Sequence, residues 1–327
     1  MHVFIGIDVS KDKLDLCWLR DPTTNKKKSK VFKNRPAELA NVCGWLLKNT
    51  GAEPQDILIT VEPTGIYHEA LIYHLHEQGF NIFLPNPAWV KSYLKSEGIV
   101  HKTDKSDATT LARYGLQKSN RQLWSPEAPE VRELKALMRR LDALEKDRQR
   151  ELNRLEASTF NSISERVLQS LQEMIRNLDA EIKALQDDID DHIDRHPGLK
   201  KNRELLSSIV GIGPVMSREL TYLLAAKDFI SAKQTANYIG VIPVLQQSGK
   251  WVGHTRLSKE GPGRLRAKLY MAAVVAKQHN PLIQDQYERL LAAGKNRMQA
   301  LGAAMRKLVH ICFGVVKNQQ EFQPQLP

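Results

Sequence analysis

The sequence runs to 327 residues, 42% of them hydrophobic, and carries a formal net charge of +11 with a pI near 9.5. That length allows two or more domains with real cores, and no apolar run reaches the roughly 18 residues of a membrane span. Three scattered cysteines, Cys17, Cys43 and Cys312, argue against a disulfide framework or a cysteine zinc site and fit a reducing cytoplasm. The Asp at position 8 argues against a signal peptide. The positive balance points to a polyanionic partner, nucleic acid before membrane.

The first part alternates strand and helix patterns. VFIGIDV (3–9), KLDLCWL (13–19) and KSKVFKN (28–34) read as strands, and residues 37–48 as a helix. ILITVE (57–62) is an apolar, β-branched run of the kind that forms a buried central strand. A helix over 67–78, a strand NIFLPN (81–86) and helices over 88–97 and 106–118 complete the zone. Three strands followed by alternating helices and strands predict a mixed sheet with helices on its faces.

Prolines mark the next two borders, at Pro126 and Pro129 and at Pro197-Gly198. They set the expected domains at 1–125, 126–198 and 199–327. In the middle zone Leu134, Leu137, Leu141 and Leu144 are spaced three, four, three. Leu168, Leu171, Ile175, Leu178, Ile182, Leu185 and Ile189 continue such a seam over about three heptads. A break near Ser158–Ser164 allows a helical hairpin, and the seam could serve an internal antiparallel pair or a second protomer.

The last zone reads as mainly helical. LLSSIVGIGPVMSRELTYLL (205–224) is two helical patterns around GIGP, and a glycine-containing loop spans 240–263. Helices are expected over roughly 264–278 and 295–317. Charge is uneven: residues 1–126 carry net +4, 127–199 net −5 and 200–327 net +12. The excess positive charge therefore lies in the third zone.

The residues that invite chemistry are acids. Asp8 sits among Val3, Phe4, Ile5, Ile7 and Val9, and Glu62 ends the apolar run ILITVE. Carboxylates in such surroundings are costly without a partner, and strand ends of α/β sheets are where ligand sites form. Asp104 and Asp107 are three apart at the start of a helix pattern, so they share a face. Each could equally be a first-turn acid. Four acids from three segments suit magnesium, which takes oxygen ligands and leaves room for substrate phosphate.

GIDVSKDKLD, VEPTGIYHEAL, NPAWVKSY and KTDKSDATTLA, followed by GIGPVMSREL, YIGVIPVLQQSGKWVG and RLSKEGPGRLRAKLYMAA, resemble one family in order over nearly the whole chain. These are bacterial insertion-sequence transposases with a RuvC-like DEDD domain, related to Piv-type invertases and also known as bridge-RNA-guided recombinases. The resemblance implies an RNase H-like fold in the first part and a C-terminal transposase domain, on either side of the coiled-coil arm that the heptad spacing predicts. It implies metal ligation, by Mg2+ or Mn2+, at Asp8, Glu62, Asp104 and Asp107, and a serine nucleophile at Ser248 in QQSG. It implies donor and target DNA as substrates, a noncoding bridge RNA as guide, and a homo-oligomer, dimer or tetramer, with the two halves of the site possibly drawn from different protomers.

The residues alone do not select Ser248, which lies in a polar loop with Lys250 and Arg256, and Ser258 is a rival that reads well as a turn residue. Gly211-Ile212-Gly213 resembles a helix-hairpin-helix turn that offers backbone N–H groups to phosphate. Lys259, Arg264, Arg266 and Lys268 read as a basic cluster for phosphates, and Trp251 as a stacking platform or a buried ring. No base-reading module is visible, which is the gap that a guide RNA would fill. The alternatives are a metal nuclease that resolves branched DNA without a serine, a nucleic-acid scaffold, and an actin-like sugar kinase.

Overall fold

The computed structural model describes residues 3–21, 23–24, 26–97, 104–160, 164–244, 247–248, 251–253 and 255–324, with backbone alone for 104–106, 247 and 251–252. The chain divides into two compact units, Met1–Pro126 and Glu127–Pro327.

The first unit is built on strands β1 (Val3–Val9), β2 (Lys13–Asp21), β3 (Lys26–Lys33), β4 (Ile57–Val61) and β5 (Asn81–Phe83), in the sheet order β3-β2-β1-β4-β5. β1, β2 and β3 are antiparallel neighbours, whereas β4 runs parallel to β1 and β5 parallel to β4. Helices α1 (Pro36–Thr50), α2 (Glu69–Glu77), α3 (Pro87–Ser96) and α4 (Asp104–Gln117) cover the sheet. The mixed sheet expected from the sequence is present.

Strand alternation sorts side chains onto two faces. Ile5, Ile7, Leu14, Leu16, Ile57, Ile59 and Val61 pack with Leu39, Val42 and Leu46 of α1 and Leu71 and Leu75 of α2. On the opposite face Phe4 and Leu58 meet Val90 of α3 and Leu111 and Tyr114 of α4. α4 lies so close to β1 that a Cβ on Gly6 would stand 1.9 Å from the Ala108 carbonyl oxygen. A Cβ on Gly115 would stand 2.1 Å from Oγ1 of Thr60. The two glycines therefore fix where α4 docks.

The second unit begins with two long helices, α5 (Pro129–Phe160) and α6 (Glu165–Arg195), which pack along each other. Val131, Leu134, Met138, Leu141 and Leu144 bury against Leu185, Ile189 and Ile193. The seam read from the sequence is thus met internally at the base of the hairpin. Toward its tip Leu168 and Leu171 are only half-buried, and Phe160 is 89% exposed. Residues 161–163, within the expected break, lie outside the described residues.

Helices α7 (Pro197–Ser207), α8 (Pro214–Ala226), α9 (Ala232–Ile239), α10 (Gly263–His279), α11 (Pro281–Ala292) and α12 (Arg297–Asn318) follow. α12 is the central element, burying Leu301, Ala304, Met305, Leu308, Val309 and Cys312. It starts on a capping box in which Asn296 accepts from the Gln299 backbone while Gln299 accepts from that of Asn296. Between α9 and α10 the described residues include the two-residue strands β6 (Pro243–Val244), β7 (Gln247–Ser248), β8 (Trp251–Val252) and β9 (Arg256–Leu257). Arg218 of α8 donates to Asp190 of α6 from Nε at 2.7 Å, and Arg203 of α7 reaches the same carboxylate at 3.3 Å. This ion-pair group ties the long hairpin to the helical bundle.

Candidate active site

Asp8 lies on the last turn of alternation in β1, on the face of Gly6 and α4, and is half-buried. The parallel β1–β4 register ends at Ile7↔Val61, so Asp8 and Glu62 are the next residues along two adjacent strands. Glu62 is half-buried. Asp107 is 8% exposed in the first turn of α4, next to Ala108, whose carbonyl overlies Gly6. Asp104 opens α4, and its side chain lies outside the described residues. Asp8 and Asp107 thus lie on one face of the sheet, and Glu62 follows β4 at the end where Asp8 lies. Asp8 and Asp107 both have interaction partners within the chain. Among the described residues no three His, Cys, Asp or Glu side chains stand together closely enough to hold a metal ion.

The sequence reading passed over Asp15. It pairs directly with Asp8 across the antiparallel β1–β2 ladder, is 6% exposed, and has Nζ of Lys13 at 3.1 Å. Directly opposed strand residues point to the same face, so Asp15 also faces α4. A cavity of about 350 Å³ opens there, lined by Asp15, Ser29, Val31 and Ala108 among others. The available signal was an acid inside the strand pattern KLDLCWL, between Leu14 and Leu16.

In the second unit Ser248 is exposed, ending β7, and its backbone pairs with Trp251 of β8. It therefore ends the first of two short paired strands. Lys250 lies outside the described residues, as does the side chain of Trp251. The base of this loop is tightly closed. Gly240 (φ 79°) and Gly261 (φ 103°) both adopt the left-handed region that favours glycine. A Cβ on Gly240 would lie 2.1 Å from the Glu260 carbonyl oxygen, and one on Gly261 2.0 Å from that of Tyr238. Nη1 of Arg266 donates to the carbonyls of Ile239 and Gly261, both at 3.0 Å, and β6 pairs with β9. The rival Ser258 is partly buried, and its hydroxyl has no hydrogen-bond partner among the described residues.

The basic cluster has partners within the chain. Arg264 is ion-paired with Asp142 and Glu145 of α5, Lys268 with Glu219 of α8, and Arg266 is spent on the two carbonyls. Three of the four predicted phosphate contacts thus have intramolecular work, which leaves Lys259 and Arg256 exposed. Gly211 (φ 103°) lies in the α7–α8 turn against α10, where a Cβ would come within 2.6 Å of Cβ of Ala276. Its glycine is thus required by packing whether or not a phosphate binds. Gly213 is the N-cap of α8, without a side-chain cap and with open space around it.

Two transposase families match the chain. One described as "Transposase" matches residues 5–160, and one described as "Transposase IS116/IS110/IS902 family" matches residues 203–288. Pilin gene-inverting proteins of Moraxella lacunata and Moraxella bovis are each 30% identical over 99% of this chain and 98% of their own length. An uncharacterized 44.8 kDa protein of insertion element IS116 from Streptomyces clavuligerus is 26% identical over 38% of this chain and 31% of its own length. The chain belongs to the IS116/IS110/IS902 family of transposases. Among the described residues no helix is long and apolar enough to cross a membrane.

Proposed function

We propose that the chain cuts and rejoins donor and target DNA through a covalent serine–DNA linkage formed at a metal-assisted site. The observation that carries this reading is the placement of Asp8 and Glu62 at adjacent parallel strand ends, on the face to which Gly6 lets α4 bring Asp107. The strand order, three antiparallel strands followed by two parallel ones, supports an RNase H-like reading of the first unit.

The donors are carboxylate oxygens, which fits Mg2+ or Mn2+. Asp8, Glu62, Asp107 and Asp104 are the residues that would hold such ions. Magnesium is commonly held by one or two carboxylates with phosphates completing the shell, so a closed protein cage is not required before DNA binds. When bound, the ion offsets charge on the attacking and leaving oxygens of the phosphate.

Ser248 is the nucleophile in this reading. Its Oγ forms a bond to phosphorus as the bond to one deoxyribose oxygen breaks, and the departing strand leaves as a hydroxyl that takes up a proton. Attack by a hydroxyl of the other DNA reverses the step and frees the serine. Exposure at the end of a short strand suits a group that must reach a phosphodiester. A noncoding bridge RNA supplies the sequence recognition, since no base-reading module is visible. The chain acts as a homo-oligomer in the cytoplasm, with the half-buried outer seam and exposed Phe160 of the α5–α6 hairpin supporting a contact to a second copy.

The test is strand exchange with guide RNA present, together with trapping of a protein–DNA adduct. Ser248→Ala is expected to abolish both, and Asp8→Asn to abolish both without loss of DNA binding. Full exchange by the Ser248→Ala protein would remove the serine from the mechanism. The runner-up, a branched-DNA nuclease that uses the acids alone, predicts cleavage that survives Ser248→Ala and no adduct at all.

A further inference from the structure

The positive charge of the first unit is concentrated on one strand. β3, KKKSKVFK, contributes Lys26, Lys27, Lys28, Lys30 and Lys33, all five exposed, from eight residues at the edge of the sheet. Among the described residues none of the five forms an ion pair. Lys27 donates to Oγ1 of Thr109 at 3.3 Å, Lys28 to Asn49, and Lys30 lies over the Phe32 ring. Lys33 stands directly opposite Lys13 on β2, whose own charge is met by Asp15 at 3.1 Å. Such a tract costs the free protein stability and is relieved by a polyanion.

Lysines on an edge strand also guard against strand-to-strand association. That role requires no particular surroundings, and β3 has specific ones. The β2–β3 register puts Lys27, Ser29, Val31 and Lys33 opposite Leu19, Cys17, Asp15 and Lys13, on the α4 face that also holds Asp8. Ser29 and Val31 line the cavity shared with Asp15 and Ala108, and Lys27 and Lys33 bracket that stretch of strand. Same-face residues recur about every 7 Å along a strand, which gives an extended chain of phosphates a row of partners.

We propose that β3 is a track for a nucleic-acid backbone, whose phosphates Lys27 and Lys33, aided by Lys26, Lys28 and Lys30, lead past the cavity beside Asp15 to the Asp8–Asp107 face. The destination of the strand rests on the acids being the active site, whereas binding along β3 does not. DNA and RNA share the phosphodiester chemistry, so either can occupy the track.

The experiment measures the salt dependence of binding by the full chain to single-stranded DNA, duplex DNA and RNA of one sequence. Replacing the five lysines by Gln is expected to flatten the slope of log K against log salt by about 0.7 for each lysine that contacts a single strand. The corresponding Arg replacements are expected to keep the slope, and the most affected nucleic acid identifies the occupant. Should the five-fold variant fail to fold, Lys27→Gln with Lys33→Gln is read in the same way. A slope unchanged for all three nucleic acids overturns the track and leaves edge protection. Poly-glutamate bound with the same lysine dependence also overturns it, in favour of an acidic protein. The two failures are distinguishable, since a failure of the acids appears in strand exchange and a failure of the track appears in the salt slope.

Discussion

Asp15 faces Asp8 directly across the β1–β2 ladder, and Nζ of Lys13 stands 3.1 Å from the Asp15 carboxylate. Opposed like charges on a strand pair are unfavourable, so a buried acid in this place adds negative potential to the candidate metal face. Groups one step removed from a metal commonly change its affinity about 10- to 100-fold. Asp15→Asn is therefore expected to raise the Mg2+ concentration needed for strand exchange by roughly tenfold, with activity restored at high Mg2+. An unshifted Mg2+ titration would assign Asp15 to the strand pair alone.

Gly6 and Gly115 make a second prediction. A methyl group at either meets an oxygen at about van der Waals overlap, 1.9 and 2.1 Å away. Gly6→Ala and Gly115→Ala are each expected to cost about 1–3 kcal/mol or more in chemical denaturation. Gly44 in α1 has open space around it, so Gly44→Ala is expected to be neutral or to stabilise by about 0.5–1 kcal/mol. Equal effects at Gly6 and Gly44 would refute the close docking of α4.

Arg266 can be separated from the phosphate role that its charge suggests. One nitrogen of its guanidinium, Nη1, donates to two carbonyls at the base of the Ser248 loop. Arg266→Met, which removes that donor, is expected to speed amide exchange at Ser258 and Lys259, whose N–H groups donate to Ile242 and Gly240, and to slow strand exchange. DNA affinity at fixed salt is expected to change little. A flatter salt slope with unchanged amide exchange would return Arg266 to the phosphate contacts.

The tie between Asp190 and Arg218 carries a pH dependence. The Arg218 hydrogen bond holds the Asp190 carboxyl below its ordinary range, and Asp190 in turn pushes Arg218 up. A carboxyl depressed on folding stabilises the fold above its unfolded pKa, and that contribution is lost as pH falls through the depressed value. Denaturation midpoints of the second unit should thus decline below the usual carboxylate range, and Asp190→Asn should flatten that decline. Its acid limb matching that of the unaltered chain would exclude this pair as a cause.

β1 and β4 were legible because each is a short apolar run with β-branched residues, and Asp8 and Glu62 stood out as charges within or ending those runs. α4 was legible as a helix, yet its docking was not, since a glycine in GID says nothing about which backbone it meets. α11 was missed: Pro281 opens a helix immediately after α10 ends, and PLIQDQYERLLA was absorbed into the gap between two expected helices. The partners of the basic cluster were not legible for a different reason. Arg264 finds Glu145 at a sequence distance of 119 residues and Lys268 finds Glu219 at 49, and no local pattern announces such partners. Asp15 was hidden by register, which only the paired strands reveal.

The closure of the Ser248 loop has a consequence for diversity. Gly240 against Glu260, Gly261 against Tyr238, and Arg266 across both ends fasten the segment as a clasp fastens a strap. Within the segment Val241 is buried in the helical core and Leu257 lies against Gly302 of α12, so it is anchored to the bundle as well as closed at its ends. Change is therefore absorbed at its exposed positions, Ser248 and Arg256 among them, while the anchors keep α9, α10 and α12 as they are.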